Sequence, residues 1–126
     1  MKILVFGNPL VEKDSIPLKL IGKLRKIFPD IEFKEFDPTE NLEKEGKELY
    51  ILDAVEGIEK VMLIKDIDSI KTSKIYSMHD FDLSYMLKLL KKLKYLKKVR
   101  IFGVPMKIKE EEALEQLTKL IKTTLS

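Results

Sequence analysis

Four consecutive apolar residues, Ile3, Leu4, Val5 and Phe6, stop abruptly at Gly7-Asn8-Pro9. A short apolar run without polar alternation marks a strand buried on both faces, and the turn-formers after it take the chain out at the strand's carboxyl end. Glu12 and Asp14 lie in the loop that follows, and Ser15-Ile16-Pro17 opens an amphipathic helix. Open α/β sheets hold their ligands in the crevice beyond the carboxyl ends of the strands, so a carboxylate in this first loop is well sited for chemistry.

The remaining chain alternates in the same manner. Leu20, Ile21, Leu24, Ile27 and Phe28 recur at helical spacing, with Ser15 as N-cap, Pro17 in the first turn and Pro29 as the stop. Residues 31–36 alternate apolar and charged side chains, which predicts a strand nearer the sheet edge; residues 37–41 read as a turn and 41–47 as a short helix. Leu49, Tyr50, Ile51 and Leu52 form a second buried run that ends in Asp53, with a loop over 54–57. A strand at 61–64 follows too closely for a helical crossover, so an antiparallel strand is expected there. Residues 66–76 show no period and read as a loop. Leu83, Met86, Leu87, Leu90 and Leu93 predict a helix that begins near His79 and Asp80, with Lys88, Lys91, Lys92 and Lys94 on its other face. A last strand spans 99–104, and Ala113, Leu114, Leu117, Leu120 and Ile121 mark a terminal helix with Glu110, Glu111 and Glu112 in its first turn. This order of elements points to a three-layer α/β/α domain.

With 126 residues, 44% apolar and 36% charged, one globular domain over 1–126 is expected. Only Arg25 and Arg100 are arginines among 24 cationic residues, and heavy use of Lys and Glu resembles the surface of heat-stable proteins. A net charge of +3 is too small to indicate nucleic acid. The chain has no cysteine, which excludes disulfides, thiolate ligands and cysteine nucleophiles. No apolar run approaches the ~20 residues that span a bilayer, and no signal-peptide pattern opens the chain, so a cytoplasmic protein without membrane insertion is expected.

Asp14, Asp53 and His79 are the candidate chemical residues. Asp53 ends an apolar strand at the rim where the first loop carries Asp14, and His79, the only histidine, stands just before a helix. If the two strands are neighbours, two carboxylates and an imidazole converge into a facial ligand set with open positions, suited to nickel, zinc or iron. Plainer roles exist for each: Asp14 as a helix cap, Asp53 as a turn residue, His79 as a surface side chain. No GxSxG, Walker, GxGxxG or HExxH pattern occurs.

Four motifs in register resemble the hydrogenase maturation endopeptidases. They are Gly7-Asn8-Pro9-Leu10 followed by Asp14, the apolar run closing in Asp53-Ala54, Ser77-Met78-His79 ahead of Leu83, and Phe102-Gly103-Val104-Pro105. The resemblance implies an α/β/α sandwich with a five-stranded mixed sheet in order 2-1-3-5-4, strand 4 antiparallel. It implies an endopeptidase that recognises nickel in the immature large subunit of a nickel-iron hydrogenase and removes its C-terminal extension. Asp14, Asp53 and His79 would then contact the metal and are the best candidates for catalysis. Nickel would arrive with the substrate, zinc or cadmium substituting in a crystal. The expected partner is the large-subunit precursor, with no nucleic acid, and the expected state is a monomer. Lys13 stands where the family has a first acid, Ser15 and Pro17 where it has glycines, and the segment between Pro105 and the last helix is short.

Two other readings compete. A receiver-like signalling domain with Asp53 as phospho-acceptor would need parallel strands in order 2-1-3-4-5. A non-catalytic binding module would use the lysines between Lys88 and Lys98 against an acidic surface, although such a row is more commonly a solvated helix face.

Overall fold

The apolar runs become the centre of the sheet. A computed structural model describes residues 1–6, 16–36, 42–65, 76–77 and 85–125. In it β1 (Lys2–Val5), β3 (Glu48–Glu56) and β6 (Lys98–Pro105) lie side by side and parallel. The alternating segment gives β2 (Glu32–Glu35), an edge strand parallel to β1. At the opposite edge β4 (Met62–Ile64) runs antiparallel to β6, reached from β3 by a connection that skips one slot. The order is β2-β1-β3-β6-β4. Counting the five principal strands, this is 2-1-3-5-4 with the fourth antiparallel, as expected. The antiparallel β4 rules out the all-parallel receiver-like alternative.

Helices cover both faces. Helix α1 (Ile16–Ile27) buries Pro17, Leu20, Ile21 and Leu24 and ends before Pro29. It shares one core with α3 (Glu110–Leu125), whose Ala113, Leu117 and Ile121 recur every fourth residue, and with the inward positions Ile3, Val5, Leu52, Phe102 and Val104. The other face carries Leu4, Ile51, Val55, Ile64, Val99 and Ile101. It is closed by α2 (Tyr85–Lys92), through Leu87 and Leu90, and by Leu42 of a 3-10 turn (Leu42–Glu45). Among the described residues no helix is long and apolar enough to cross a membrane.

Several local expectations shift. The segment read as a short helix over 41–47 is a 3-10 turn of four residues. Leu93 is not a core residue: α2 stops at Lys92, Leu93 is exposed and Leu96 is buried instead. The chain at Tyr76–Ser77, expected to be loop at Tyr76, forms a short strand, β5, antiparallel to the end of β3. Strand β3 runs through positions 54–56, where a loop was expected, because β6 pairs with it as far as Val55 and β5 pairs with Val55 and Glu56. The expected start of α2 near His79 and Asp80, and the Ser15 cap, lie outside the described residues.

Candidate active site

The connectivity creates a single switch point in the sheet. From β1 the chain crosses through α1 on one face to reach β2, and it returns past β1 on the other face, through Leu42, to reach β3. Strands β1 and β3 are neighbours whose outgoing connections diverge, and the carboxyl ends of such a pair form the natural ligand crevice of an open α/β sheet.

Asp53 sits at that crevice. Residues two apart on a strand share a side, and Ile51 and Val55 are both packed in the core under α2, so the aspartate points into the same layer. It is wholly buried and is the one buried charged residue among those described. A carboxylate withdrawn from water is costly unless hydrogen bonds or opposite charge compensate it. One compensation is local: the Ala54 N–H donates to Asp53 Oδ1 at 2.9 Å. The amide is available because of a gap in pairing. The last β1 pair is Val5↔Leu52, with Phe6 N–H bonded to the Leu52 carbonyl, and β5 begins only at Val55↔Ser77. Alternation turns the Ala54 amide to the same side as the Leu52 carbonyl, into the gap between those two partners, where the neighbouring carboxylate takes it.

On the other side of Asp53 stands Gly103, its register partner in β6. A β-carbon built there would lie 3.0 Å from Val55 Cγ2 and 3.4 Å from Ile58 Cδ1 and Ile64 Cδ1. The packing around Asp53 thus depends on an empty position. Its signal in the sequence is the Phe102-Gly103-Val104-Pro105 motif, which was read for resemblance and not for packing.

Of the three predicted site residues, Asp53 is described, inside β3 and not at its end as expected. Asp14 and His79 lie outside the described residues. Among the described residues no three acidic or histidine side chains gather as a metal centre.

Comparison with known proteins agrees with this architecture. The structure of the [NiFe] hydrogenase maturation protease HybD from Thermococcus kodakarensis superposes with a TM-score of 0.71, covering 100% of both chains at 16% identity. At that identity the likeness establishes the fold. No curated protein sequence matches the chain. The family profile "HycI: Hydrogenase maturation protease" matches residues 36–126, well over half of the chain and including β3 with Asp53. The chain therefore belongs to the hydrogenase maturation protease family, proteases that act on the hydrogenase large subunit.

Proposed function

We propose that this protease recognises nickel carried by the immature large subunit of a nickel-iron hydrogenase and removes the subunit's C-terminal extension, with Asp14, Asp53 and His79 contacting the ion. One observation carries the reading. Ser77, two residues before His79 in the chain, pairs with Val55, two residues after Asp53. Directly opposed residues of antiparallel strands are about 5 Å apart, so Ser77 lies beside the strand that bears the buried carboxylate. On the other side Phe6, eight residues before Asp14 in the chain, is bonded to Leu52, the residue before Asp53.

Oxygen and imidazole donors suit a borderline divalent ion such as nickel, and zinc or cadmium would take the same donors in the isolated protein. Nickel is part of the substrate here and acts as a checkpoint: a precursor without it offers these residues nothing to grip. Bound beside the scissile peptide, such an ion supplies Lewis acidity. The chain's own part is to hold Asp53 fixed, one oxygen on the Ala54 amide, so that no reorganisation accompanies docking. Hydrolysis is then of the aspartyl type, carried out by a monomer in the cytoplasm.

The test is Asp53→Asn, which keeps the shape and the acceptor for Ala54 and removes the charge, alongside His79→Ala. Processing of a nickel-loaded precursor falls by at least ~100-fold in each, and calorimetric binding of nickel or cadmium weakens by ~10-fold or more. Normal processing by both variants would reject the assignment.

A further inference from the structure

The lysines that flank α2 have a use that a solvated face does not explain. Where α2 ends, a cleft of about 200 Å³ opens between β4, the α2 terminus and the start of β6. Among the described residues Lys65, Lys91, Lys97, Lys98 and Arg100 line it, over an apolar floor of Leu96 and Val99, and no described acidic side chain contributes to the wall. Among the described residues none of these five cations makes an ion pair; the Arg100 guanidinium donates only to the adjoining Val99 carbonyl. Lys2 and Lys34 are different, since both are paired with Glu45. Five like charges around one cleft, against a net charge of +3 for the entire chain, repel one another, and no ion pair among the described residues offsets that repulsion.

Leu89, Leu93 and Tyr95, on and just past the last turn of α2, are 42%, 54% and 56% exposed, and they make up three of the five large hydrophobic side chains exposed among the described residues. Exposed aromatic and aliphatic side chains in the same stretch of chain as Lys91 and Lys97 suit a protein partner.

We infer that this cleft is a docking site for an acidic segment of the hydrogenase precursor, separate from the Asp53 centre. The protein that supplies the segment rests on the function proposed above; its acidity rests on the cleft alone. A volume of about 200 Å³ accommodates one or two carboxylate side chains but falls below the ~300 Å³ at which pockets for drug-sized ligands begin, so a nucleotide does not fit. Four of the five cations are lysines, compact point charges suited to carboxylates without demanding a bidentate fork. On β6, Arg100 and Lys98 precede Gly103, the register partner of Asp53, by three and five positions, or ~10–17 Å of strand. Docking and cleavage thus engage different parts of one substrate.

The probe is a fluorescein-labelled hexaglutamate peptide, followed by anisotropy with the whole chain. Binding is expected at low ionic strength and falls steeply as salt is raised. Lys91→Glu/Lys97→Glu, at two exposed positions, weakens it by about tenfold, and the pair Lys65→Glu/Lys91→Glu is read identically should the first fail to fold. Asp53→Asn leaves peptide binding unchanged. With the nickel-loaded precursor, the charge-reversed variant raises KM by about tenfold and leaves kcat within about twofold. Absence of peptide binding, equal binding by the reversed variants, or displacement by inorganic phosphate far beyond that by sodium chloride at equal ionic strength would each overturn the inference, the last in favour of a small-anion site. Loss of kcat with unchanged KM would overturn it too. Intact processing by Asp53→Asn sinks the proposed mechanism instead, and leaves the peptide result standing.

Discussion

Gly103 shows how closely the surroundings of Asp53 are packed. A methyl group there meets Val55 Cγ2 at 3.0 Å, and Val55 belongs to the apolar layer into which Asp53 points. Gly103→Ala should therefore cost about 1–3 kcal/mol in urea unfolding, the usual penalty for overpacking, and should lower precursor processing by displacing the neighbours of Asp53. Adding Val55→Ala removes the obstructing methyl, so the double variant should recover part of both losses; simple addition of the two single costs would show that the contact is not the cause. Asp53 itself was legible in the sequence, because it closes an apolar run at the rim where an open α/β sheet holds its ligand. Its full burial was not, since that depends on β6, α2 and β5 arriving from distant parts of the chain. Asp14 and His79 were selected by the same pattern of motifs and lie outside the described residues.

Whole elements followed the hydrophobic pattern where the pattern was long enough to have a period. The three apolar runs became the central strands β1, β3 and β6, and the alternating segment became the edge strand β2. Strand β5 has two residues, too few for any period, and exists because β3 extends past β1 and offers free backbone groups on that side. The end of α2 was misjudged for a different reason. Leu93 continues the leucine spacing, but the helix is closed by a Schellman arrangement: Tyr95 N–H bonds to the Leu90 carbonyl, Lys94 N–H bonds to the Lys91 carbonyl, and Lys94 has φ 65°. The turn points Leu93 outward and brings Leu96 into the core. Left-handed backbone at a non-glycine residue costs about 1 kcal/mol, so Lys94→Gly should stabilise the chain by roughly 0.5–1 kcal/mol. Chemical denaturation measures this directly, and a destabilised variant would mean that the Lys94 side chain contributes more than its backbone strain costs.

At the scale of the molecule, the two ends of the sheet do separate work. The carboxyl ends of β1 and β3 carry the candidate site, while near the opposite end Glu45 of the 3-10 turn binds both Lys2 of β1 and Lys34 of β2, the latter at 2.6 Å. This carboxylate fastens the crossover that brings the chain back from β2 to β3, and so helps to create the switch point it does not touch. Hydrogen bonds from Lys2 and then Lys34 hold its pKa below the ordinary glutamate value of 4.5. A carboxyl group whose pKa is lower in the folded chain binds its proton more readily when unfolded, so its stabilisation is complete above 4.5 and is lost as the pH falls through the lowered native value. Glu45→Gln should cost about 1 kcal/mol or less at neutral pH, because both lysines are about one-third exposed, and added salt should shrink the difference. The variant and the parent should converge in stability as the pH falls below 4.5 and on through the lowered native value, where the parent's carboxylate becomes protonated. Thermal unfolding across that range tests the point: a constant gap at every pH would mean that Glu45 acts through packing and not through charge. Precursor processing at neutral pH should stay near the parental rate in Glu45→Gln, since the clamp lies at the end of the sheet away from Asp53. A large loss there would tie the two ends of the sheet into one unit and make the crossover part of the site.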